Sequence, residues 1–398
     1  MRVQSENMKE ELDLKKFNTS EEGYRRLIPA ITNCRKAQFT GCNLTELSLE
    51  ILSTALQTEN SSVKELDLSK NDLQDAGVEK LSAGLKSSHC KLEILRLAVC
   101  KLSAQSCNTL QSVLQTETSC LKDIDLSNND VQDSGVENLS AGLKSSHCKL
   151  EILRLVVCKL GAQSCNTLHS VLQTQAYCLK ELDLSNNDLY DSGVENLTVG
   201  LKSSNCKLQI LRLALCNLGE NTCERLGSLL KLENSLKALD LSNNDLQDSG
   251  VELLSAGLKT GDCKLEILIL SGCMIKKKGC SSLASALSSN LSHLKELDLT
   301  YNYPGESGVK ALSTRLEDPQ CTLSTLSPFL CYKVTSSRKT VLTALLALTE
   351  ECVPCNRVET LTGLSGSTLD QTDTAELTLL EKEPQRSLQL LRREESVC

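Results

Sequence analysis

The amino-acid sequence predicts an α/β solenoid, in which strands form a parallel sheet on a concave face and helices lie outside that sheet. Two observations carry this prediction. The segments that begin at Leu121 and Leu179 have nearly the same sequence, and both pass from strand-like to helix-like spacing of their apolar residues. The composition is 40% hydrophobic but only 2% aromatic. So few aromatic side chains favour thin, similar layers of Leu, Val, Ile and Ala.

Two kinds of unit alternate along the chain. The segment from Leu150 lies between the two segments above and is a copy of the segment from Leu92. Unit starts fall at Val63, Leu92, Leu121, Leu150, Leu179, Leu208, Leu236, Leu265 and Leu294. Ala37 to Leu56 is a degenerate unit. We therefore divide the chain into a lead-in with a degenerate first repeat (1–35), a solenoid (36–327) and a non-repeat tail (328–398) that we expect to be poorly ordered.

Each unit matches the pattern L-x-x-L-x-L-x-x-N/C-x-L, which is the signature of leucine-rich repeats. Ile124 and Leu126 alternate with acidic residues, as in a strand with one buried face. Val136, Leu139 and Leu143 then follow at helical spacing. Packed helices need about 8–10 Å and adjacent strands only about 4.8 Å, so the sheet must curve. The pattern predicts a right-handed horseshoe with the strands inside.

Asn and Cys alternate where each strand ends. The Asn positions are Asn71, Asn129, Asn187, Asn244 and Asn302, and the Cys positions are Cys42, Cys100, Cys158, Cys216 and Cys273. An amide there can bond buried backbone groups of the turn. Members of the Cys row lie in every second unit, roughly 10 Å apart, so we do not expect a metal. Ser134 and Glu137 form an S-x-x-E pattern, which predicts a capping box at the helix start.

Several classes of function are not expected. The formal charge of −8 and the apparent lack of a basic stripe argue against nucleic acid as a partner. The first residues, MRVQSENMKEELDLKK, lack the apolar core of a signal peptide, and the longest apolar stretch, Val341 to Leu348, is too short for a bilayer. We therefore expect no membrane contact, a cytoplasmic location and reduced thiols. Cys352 and Cys355 form a C-x-x-C without redox or zinc context. No catalytic set stands out, so we expect neither an enzyme nor a cofactor.

The alternating units with Asn and Cys at the turn resemble the ribonuclease-inhibitor type of leucine-rich repeat. The segment SEEGYRRLIPAITNCRKA (20–37) and units such as LDLSNNDLQDSGVE (239–252) are similar to the carboxy-terminal repeats of vertebrate NACHT–leucine-rich-repeat (NLR) innate immune receptors. That resemblance implies a protein-binding module with a sensing or autoinhibitory role in cytosolic immune signalling. The alternative is a free-standing inhibitor that wraps an enzyme such as a ribonuclease. The sequence has no G-x-x-x-x-G-K-[ST] loop, so no nucleotide site is carried over.

Candidate partner-binding residues lie on the strands, where they alternate with buried Leu. One position, which we call the central row, consists of Asp67, Arg96, Asp125, Arg154, Asp183, Arg212, Asp240, Ile269 and Asp298. Acid and base alternate along most of this row, and we expect lateral pairing between neighbouring strands. Such pairing makes the row either a self-neutralising ladder or a prearranged polar binding surface.

The position two residues earlier, the leading row, consists of Glu65, Ile94, Asp123, Ile152, Glu181, Ile210, Ala238, Ile267 and Glu296. Its Ile residues either mark an interaction patch or are covered by the methylene stems of neighbours such as Arg154. Our sharper hypothesis places the contact in the carboxy-terminal third. There Asp240 and Asp298 lack an Arg between them, and Ile267 and Ile269 stand exposed. That zone suits a basic, partly apolar protein surface.

Overall fold

The computed structural model describes residues 11–17, 20–175, 178–288, 293–316, 318 and 321–327. The chain divides into two compact units, 1–350 and 351–398, and every described residue belongs to the first. The predicted tail (328–398), including the C-x-x-C, lies outside the described residues.

Strands and helices alternate throughout the first unit. The strands are β1 (Glu11–Asp13), β2 (Lys36–Gln38), β3 (Glu65–Asp67), β4 (Ile94–Arg96), β5 (Asp123–Asp125), β6 (Ile152–Arg154), β7 (Glu181–Asp183), β8 (Ile210–Arg212), β9 (Ala238–Asp240), β10 (Ile267–Ile269), β11 (Glu296–Asp298) and β12 (Thr325–Ser327). The helices are α1 (Glu21–Leu27), α2 (Glu46–Leu56), α3 (Gln74–Leu85), α4 (Ala104–Leu114), α5 (Gln132–Leu143), α6 (Ala162–Leu172), α7 (Tyr190–Leu201), α8 (Glu220–Leu230), α9 (Gln247–Leu258), α10 (Lys277–Leu287) and α11 (Gly305–Leu316). Short 3-10 helices cover Leu14–Phe17 and Ile28–Asn33.

All twelve strands pair in parallel, in sequence order, within one sheet. The middle residue of each strand from β3 to β11 is buried and lies opposite the middle residue of the next, as Leu95 lies opposite Ile124. The predicted solenoid with a parallel sheet and outer helices is thus confirmed. The sheet begins at Glu11, within the segment predicted as a lead-in. Within the described ranges, no helix has the length and apolarity needed to cross a bilayer.

The predicted role of the turn Asn is confirmed. Asn129 Nδ2 donates to the carbonyl oxygens of Leu97 and Leu126, both at 2.8 Å. Its Oδ1 accepts from the backbone nitrogens of Cys100 and Leu102 at 2.9 and 3.0 Å. One buried amide therefore satisfies polar groups of its own unit and of the preceding one, which would otherwise be unpaired.

Cys replaces Asn in alternate units with a simpler set of contacts. The Cys100 thiol donates to the carbonyl oxygen of Leu68, one unit earlier, at an Sγ–O distance of 3.3 Å. Burial raises the pKa of Cys100 to about 12, so the thiol keeps the proton that this bond needs. The thiol bridges two units, as the amide does, but with fewer bonds.

From α2 to α9 the helices pack in alternating close and looser pairs. Gly142 lies where α5 meets α4, and a Cβ atom at this position would come within 2.9 Å of Gln111 Cα. A Cβ atom at Gly200 of α7 would likewise come within 3.0 Å of the Cα atom of His169 in α6. These glycines let α5 approach α4, and α7 approach α6, more closely than α6 approaches α5.

The predicted capping box is wrong. Helix α5 begins at Gln132, so Ser134 lies inside its first turn and does not cap it. The neighbouring acid has a different role: Asp133 Oδ1 accepts from the backbone nitrogens of Gly161 and Ser164, at 2.8 and 3.1 Å, at the start of α6. An acid in one helix therefore caps the next helix. Asp75, Asp191 and Asp248 make equivalent contacts to later units.

The inferred lack of a basic stripe is also wrong. The loops that precede β3 to β11 carry fourteen Lys and seven acidic residues, whereas the loops that follow these strands carry four of each. Lysines about one repeat apart in sequence become neighbours when the strands stack. The side of the sheet at the amino ends of its strands is therefore basic in a chain whose formal charge is −8.

Candidate functional site

The structure brings the predicted central row together along the sheet. Its members occupy the third position of β3 to β11, and the strand register places Asp67 opposite Arg96, Arg154 opposite Asp183, and Ile269 opposite Asp298. The leading row occupies the first position of the same strands. Both rows are half-buried, apart from the buried Asp123. They form one continuous surface on the face of the sheet away from the helices.

The Arg residues form a ladder, but with partners other than those expected. Arg154 NH1 lies 2.6 Å from Asp123 and its NH2 lies 3.4 Å from Glu181, both of the leading row. Arg96 reaches Glu65 and Asp123 at 3.9 and 3.6 Å. The predicted pairing within the central row is therefore wrong. The guanidinium groups cross diagonally to the leading row, and this zigzag ends at Arg212, which pairs with Glu181 at 2.6 Å.

The central-row Asp residues bond their own turns instead. Asp125 Oδ1 accepts from the Ser127 backbone nitrogen at 2.9 Å. Asp240 Oδ1 accepts from the Ser242 backbone nitrogen, and Asp298 Oδ1 accepts from the Thr300 backbone nitrogen, both at 2.9 Å. A short carboxylate reaches a backbone N–H two residues ahead more easily than a neighbouring strand's side chain. These Asp residues thus fix the turns as well as facing the open surface.

Asp123 is the most buried acid of this surface, with a relative exposure of 6%. Burial raises the pKa of its carboxyl group even though Arg154 and Arg96 lower it. Arg–acid pairs that are this well shielded leave little charge for a partner. The Arg residues of β4, β6 and β8 therefore neutralise the leading-row acids of β3, β5 and β7, whereas Asp67, Asp125 and Asp183 of the central row have no cation partner in the described chain.

The carboxy-terminal third differs in its contacts. Ile269 lies between Asp240 and Asp298, directly opposite both in the register. No Lys, Arg or His in the described part of the chain pairs with Asp240, Glu296 or Asp298. We expected Ile267 and Ile269 to stand exposed, whereas in the structure both are half-buried. They form an apolar strip between acids that have no cation partner there.

Sequence reasoning missed three exposed side chains beside this third. Met274, Tyr301 and Tyr303 have relative exposures of 52%, 56% and 72%. All three lie in the turns that follow β10 and β11. A hollow of about 540 Å³ is lined in part by Met274, Lys276 and Tyr303. The signal was present in the sequence, because Tyr-Asn-Tyr (301–303) replaces the Asn-Asn-Asp of other units.

The cysteines of the described residues are all free thiols, and most are buried. Burial raises the pKa of Cys158, Cys216 and Cys273 to about 12 in each case. Within the described segments, no group of three or more metal-ligating side chains comes together. The thiols of the turn row pack in the core and bond backbone carbonyls, which makes them structural groups.

Comparison with known proteins gives a family and its relatives. The family model described as Leucine Rich repeat matches residues 59–82, 119–140, 178–197, 234–255, 261–284 and 290–313. Ribonuclease inhibitor of Mus musculus is 36% identical over 338 residues, which cover 82% of this chain and 73% of the relative. Ribonuclease inhibitor of Sus scrofa is 38% identical over 312 residues, or 78% of this chain and 67% of the relative.

A longer relative is the NACHT, LRR and PYD domains-containing protein 12 of Mus musculus. It is 39% identical over 307 residues, which cover 77% of this chain but 28% of that protein. The chain therefore spans little more than a quarter of the length of this relative.

Proposed function

Because the chain belongs to the leucine-rich-repeat proteins of the ribonuclease-inhibitor type, we propose that it is a non-enzymatic module that binds another protein on its concave face. Its role resembles that of the sensing or autoinhibitory repeats of NLR proteins in cytosolic immune signalling. The observation that carries this proposal is that Ile269 lies between Asp240 and Asp298 at the strand position where β4, β6 and β8 carry Arg.

The chemistry of this set selects the kind of partner. Asp240 and Asp298 each use Oδ1 for a turn, and no described contact occupies Oδ2. A Lys or Arg of a partner can pair with these oxygens. Ile267, Ile269 and the exposed Tyr303 supply apolar and aromatic area, of the kind that dominates binding energy at protein interfaces. A basic, partly apolar protein surface fits this zone best.

The amino-terminal strands are less suited to this role. Their Arg residues are already paired with Glu65, Asp123 and Glu181. A partner that bound there would have to replace these contacts. Binding energy is therefore concentrated toward β9 to β11.

The test uses two matched variants of the full chain. Ile267→Ala/Tyr303→Ala removes one leading-row Ile and one exposed Tyr from the proposed zone. Ile152→Ala/Tyr190→Ala removes the same types from β6 and the start of α7, where Tyr190 is 53% exposed. Proteins captured by the immobilised wild-type chain are identified by mass spectrometry, and the affinity of each is then measured. We expect the first variant to weaken binding about tenfold or more, and the second by less than about threefold. Equal losses of affinity in the two variants would rule out the proposed contact zone at β9 to β11.

A second candidate function is inhibition of an enzyme by enclosure. It is favoured by one observation, the match to ribonuclease inhibitor over 73% of the length of the mouse protein. A titration of pancreatic-type ribonuclease with the full chain distinguishes the two functions. Stoichiometric loss of nuclease activity supports the inhibitor, whereas unchanged activity at micromolar chain favours the first proposal.

A further inference from the structure

A second charged surface lies at the amino ends of the strands, which we call the amino edge. It consists of the loops that precede β3 to β11. Its lysines are Lys64, Lys86, Lys91, Lys122, Lys144, Lys149, Lys180, Lys202, Lys207, Lys231, Lys237, Lys259, Lys264 and Lys295. Nearly all of them are exposed. This edge is distinct from the concave face, where acids without a cation partner occupy the carboxy-terminal third.

Backbone hydrogen bonds fix the spacing of these lysines. The Lys122 nitrogen donates to the Glu93 carbonyl at 2.8 Å, and the Glu151 nitrogen donates to the Lys122 carbonyl at 2.7 Å. The same contact recurs up to Ser324, which donates to Lys295 at 2.8 Å. Neighbouring loops are therefore one strand spacing apart, about 4.8 Å. From Lys64 to Lys295 the row runs over eight such steps, roughly 38 Å.

Internal pairing leaves an excess of positive charge. Glu93 pairs with both Lys64 and Lys122, at 2.6 and 2.8 Å. These two ammonium groups lower the pKa of Glu93 to about 2. Within the described residues, in contrast, no carboxylate pairs with Lys91, Lys149 or Lys207. Lys149 donates instead to the carbonyl oxygen of Ser119 at 2.9 Å.

The charge is most concentrated where this edge is hollow. A depression of about 240 Å³ is lined by Lys64, Lys91, Glu93, Cys120, Lys122 and Lys149. Four ammonium groups thus surround one carboxylate that already has two of them as partners. A second carboxylate fits this charge distribution.

We propose that the amino edge binds an acidic segment of a partner polypeptide in polyproline II conformation. Lys91, Lys149 and Lys207 occupy every second loop, and therefore lie roughly 10 Å apart. In a polyproline II helix, residues three apart lie on the same face and are separated by about 9 Å. Asp or Glu side chains at such intervals can each meet one of these lysines. The intervening pairs, such as Lys122 with Glu93, offset part of the positive charge between the contact points.

Nucleic acid fits this edge less well. Glu93, Glu151 and Glu266 lie within the lysine row and pair with its lysines, so those lysines are not all free to meet a continuous phosphate backbone. Single-stranded nucleic acid is held by aromatic stacking as well as charge, and the sequence of these loops contains a single aromatic residue, Tyr177. A polypeptide can place its acidic groups between these glutamates, whereas a phosphate chain cannot.

The test measures binding of a fluorescently labelled oligo-glutamate peptide to the full chain by anisotropy at low salt. A peptide of about twelve residues spans roughly 37 Å in polyproline II conformation, which matches the row. Lys91→Glu/Lys149→Glu reverses two lysines that lack an acidic partner in the described chain. The matched control, Lys70→Glu/Lys277→Glu, makes the same change of net charge at exposed lysines on the opposite edge. A single-stranded oligothymidylate of equal charge is the competing ligand.

We expect the peptide to bind, and the edge variant to weaken that binding by about tenfold. The control variant should change affinity by less than about twofold, and added salt should weaken binding by screening. The milder Lys91→Gln/Lys149→Gln should give an intermediate loss, with circular dichroism unchanged. Equal losses in the edge and control variants, or no peptide binding at all, would overturn the proposal. Tighter binding of the oligothymidylate than of the peptide would overturn the choice of a polypeptide.

Discussion

Asn129 Oδ1 lies 2.9 Å from the backbone nitrogen of Cys100, in the unit that precedes its own. The same oxygen accepts from Leu102, and the amide nitrogen donates to carbonyls of both units. A single side chain thus joins two layers of the solenoid at a buried position.

Replacing Asn129 by Ala leaves several buried backbone groups unpaired, each at a cost of about 1–3 kcal/mol. We expect Asn129→Ala to lower the free energy of unfolding by about 3–5 kcal/mol in urea denaturation. The control is Asn108→Ala, because Asn108 is exposed and its side chain donates one hydrogen bond, to the side chain of Gln105 at 3.2 Å. If the two variants were equally stable, the bridging amide would not be a principal source of stability.

Gly142 should not tolerate a side chain. Gly142→Ala places a methyl group 2.9 Å from Gln111 Cα, which forces α4 and α5 apart. Overpacking of this kind costs about 1–3 kcal/mol. Thermal unfolding followed by circular dichroism measures the loss. Gly161→Ser is the contrasting variant, because Ser103 occupies the equivalent position of another unit, and it should leave the melting temperature nearly unchanged.

The helix cap can be assigned by comparing two adjacent residues. Asp191 Oδ1 accepts from the Gly219 and Thr222 backbone nitrogens at 2.8 and 3.2 Å, at the start of the following helix. Asp191→Ala should therefore cost about 1 kcal/mol, within the range found for lost caps. Ser192→Ala removes the residue that the S-x-x-E pattern singles out, and should have little effect on chemical denaturation. A larger loss of stability in Ser192→Ala than in Asp191→Ala would support the capping box instead.

Acid should weaken one ion pair at the amino edge in a defined range. The pKa of Glu93 is lowered from 4.5 to about 2 in the folded chain. A carboxyl group whose folded pKa is depressed stabilises the fold above its unfolded pKa, and this stabilisation is lost as pH falls through the folded value. The stability difference between the wild type and Glu93→Gln should therefore be constant above about pH 5 and shrink between that pH and about 2. Urea unfolding at a series of pH values measures it. A difference that grows on acidification would contradict the assignment.

The sheet could be predicted from the sequence alone, because Ile124 and Leu126 show the spacing of a strand within one unit. The bridging amide was also predictable, since Asn129 recurs at a fixed distance from the strand. Contacts between units were not. Asp133 caps a helix that begins about one repeat later, and Arg154 reaches diagonally to acids two positions away from its own row. Such choices depend on side-chain length and on the stacking offset, neither of which a single unit reveals.

The candidate site was partly predictable for the same reason. Asp240, Ile269 and Asp298 were found by reading one position across strands. Tyr301 and Tyr303 were missed because they lie in turns, where the departure from Asn-Asn-Asp was not weighed. The amino edge was missed because each loop, read by itself, carries only one or two lysines. Stacking converts this modest local charge into an extended surface.

The alternation of Asn and Cys at the turns determines the order in which the layers should unfold when the chain is pulled from its ends. Each Asn amide ties its layer to the one before it by several bonds, whereas a Cys thiol contributes a single weak donor to the previous layer's carbonyl. The close helix contacts at Gly142 and Gly200 strengthen the same junctions. When the chain is pulled from its ends, the layers from α2 to α9 should therefore unfold in doublets, each releasing two layers at once, or about 200 Å of extended chain.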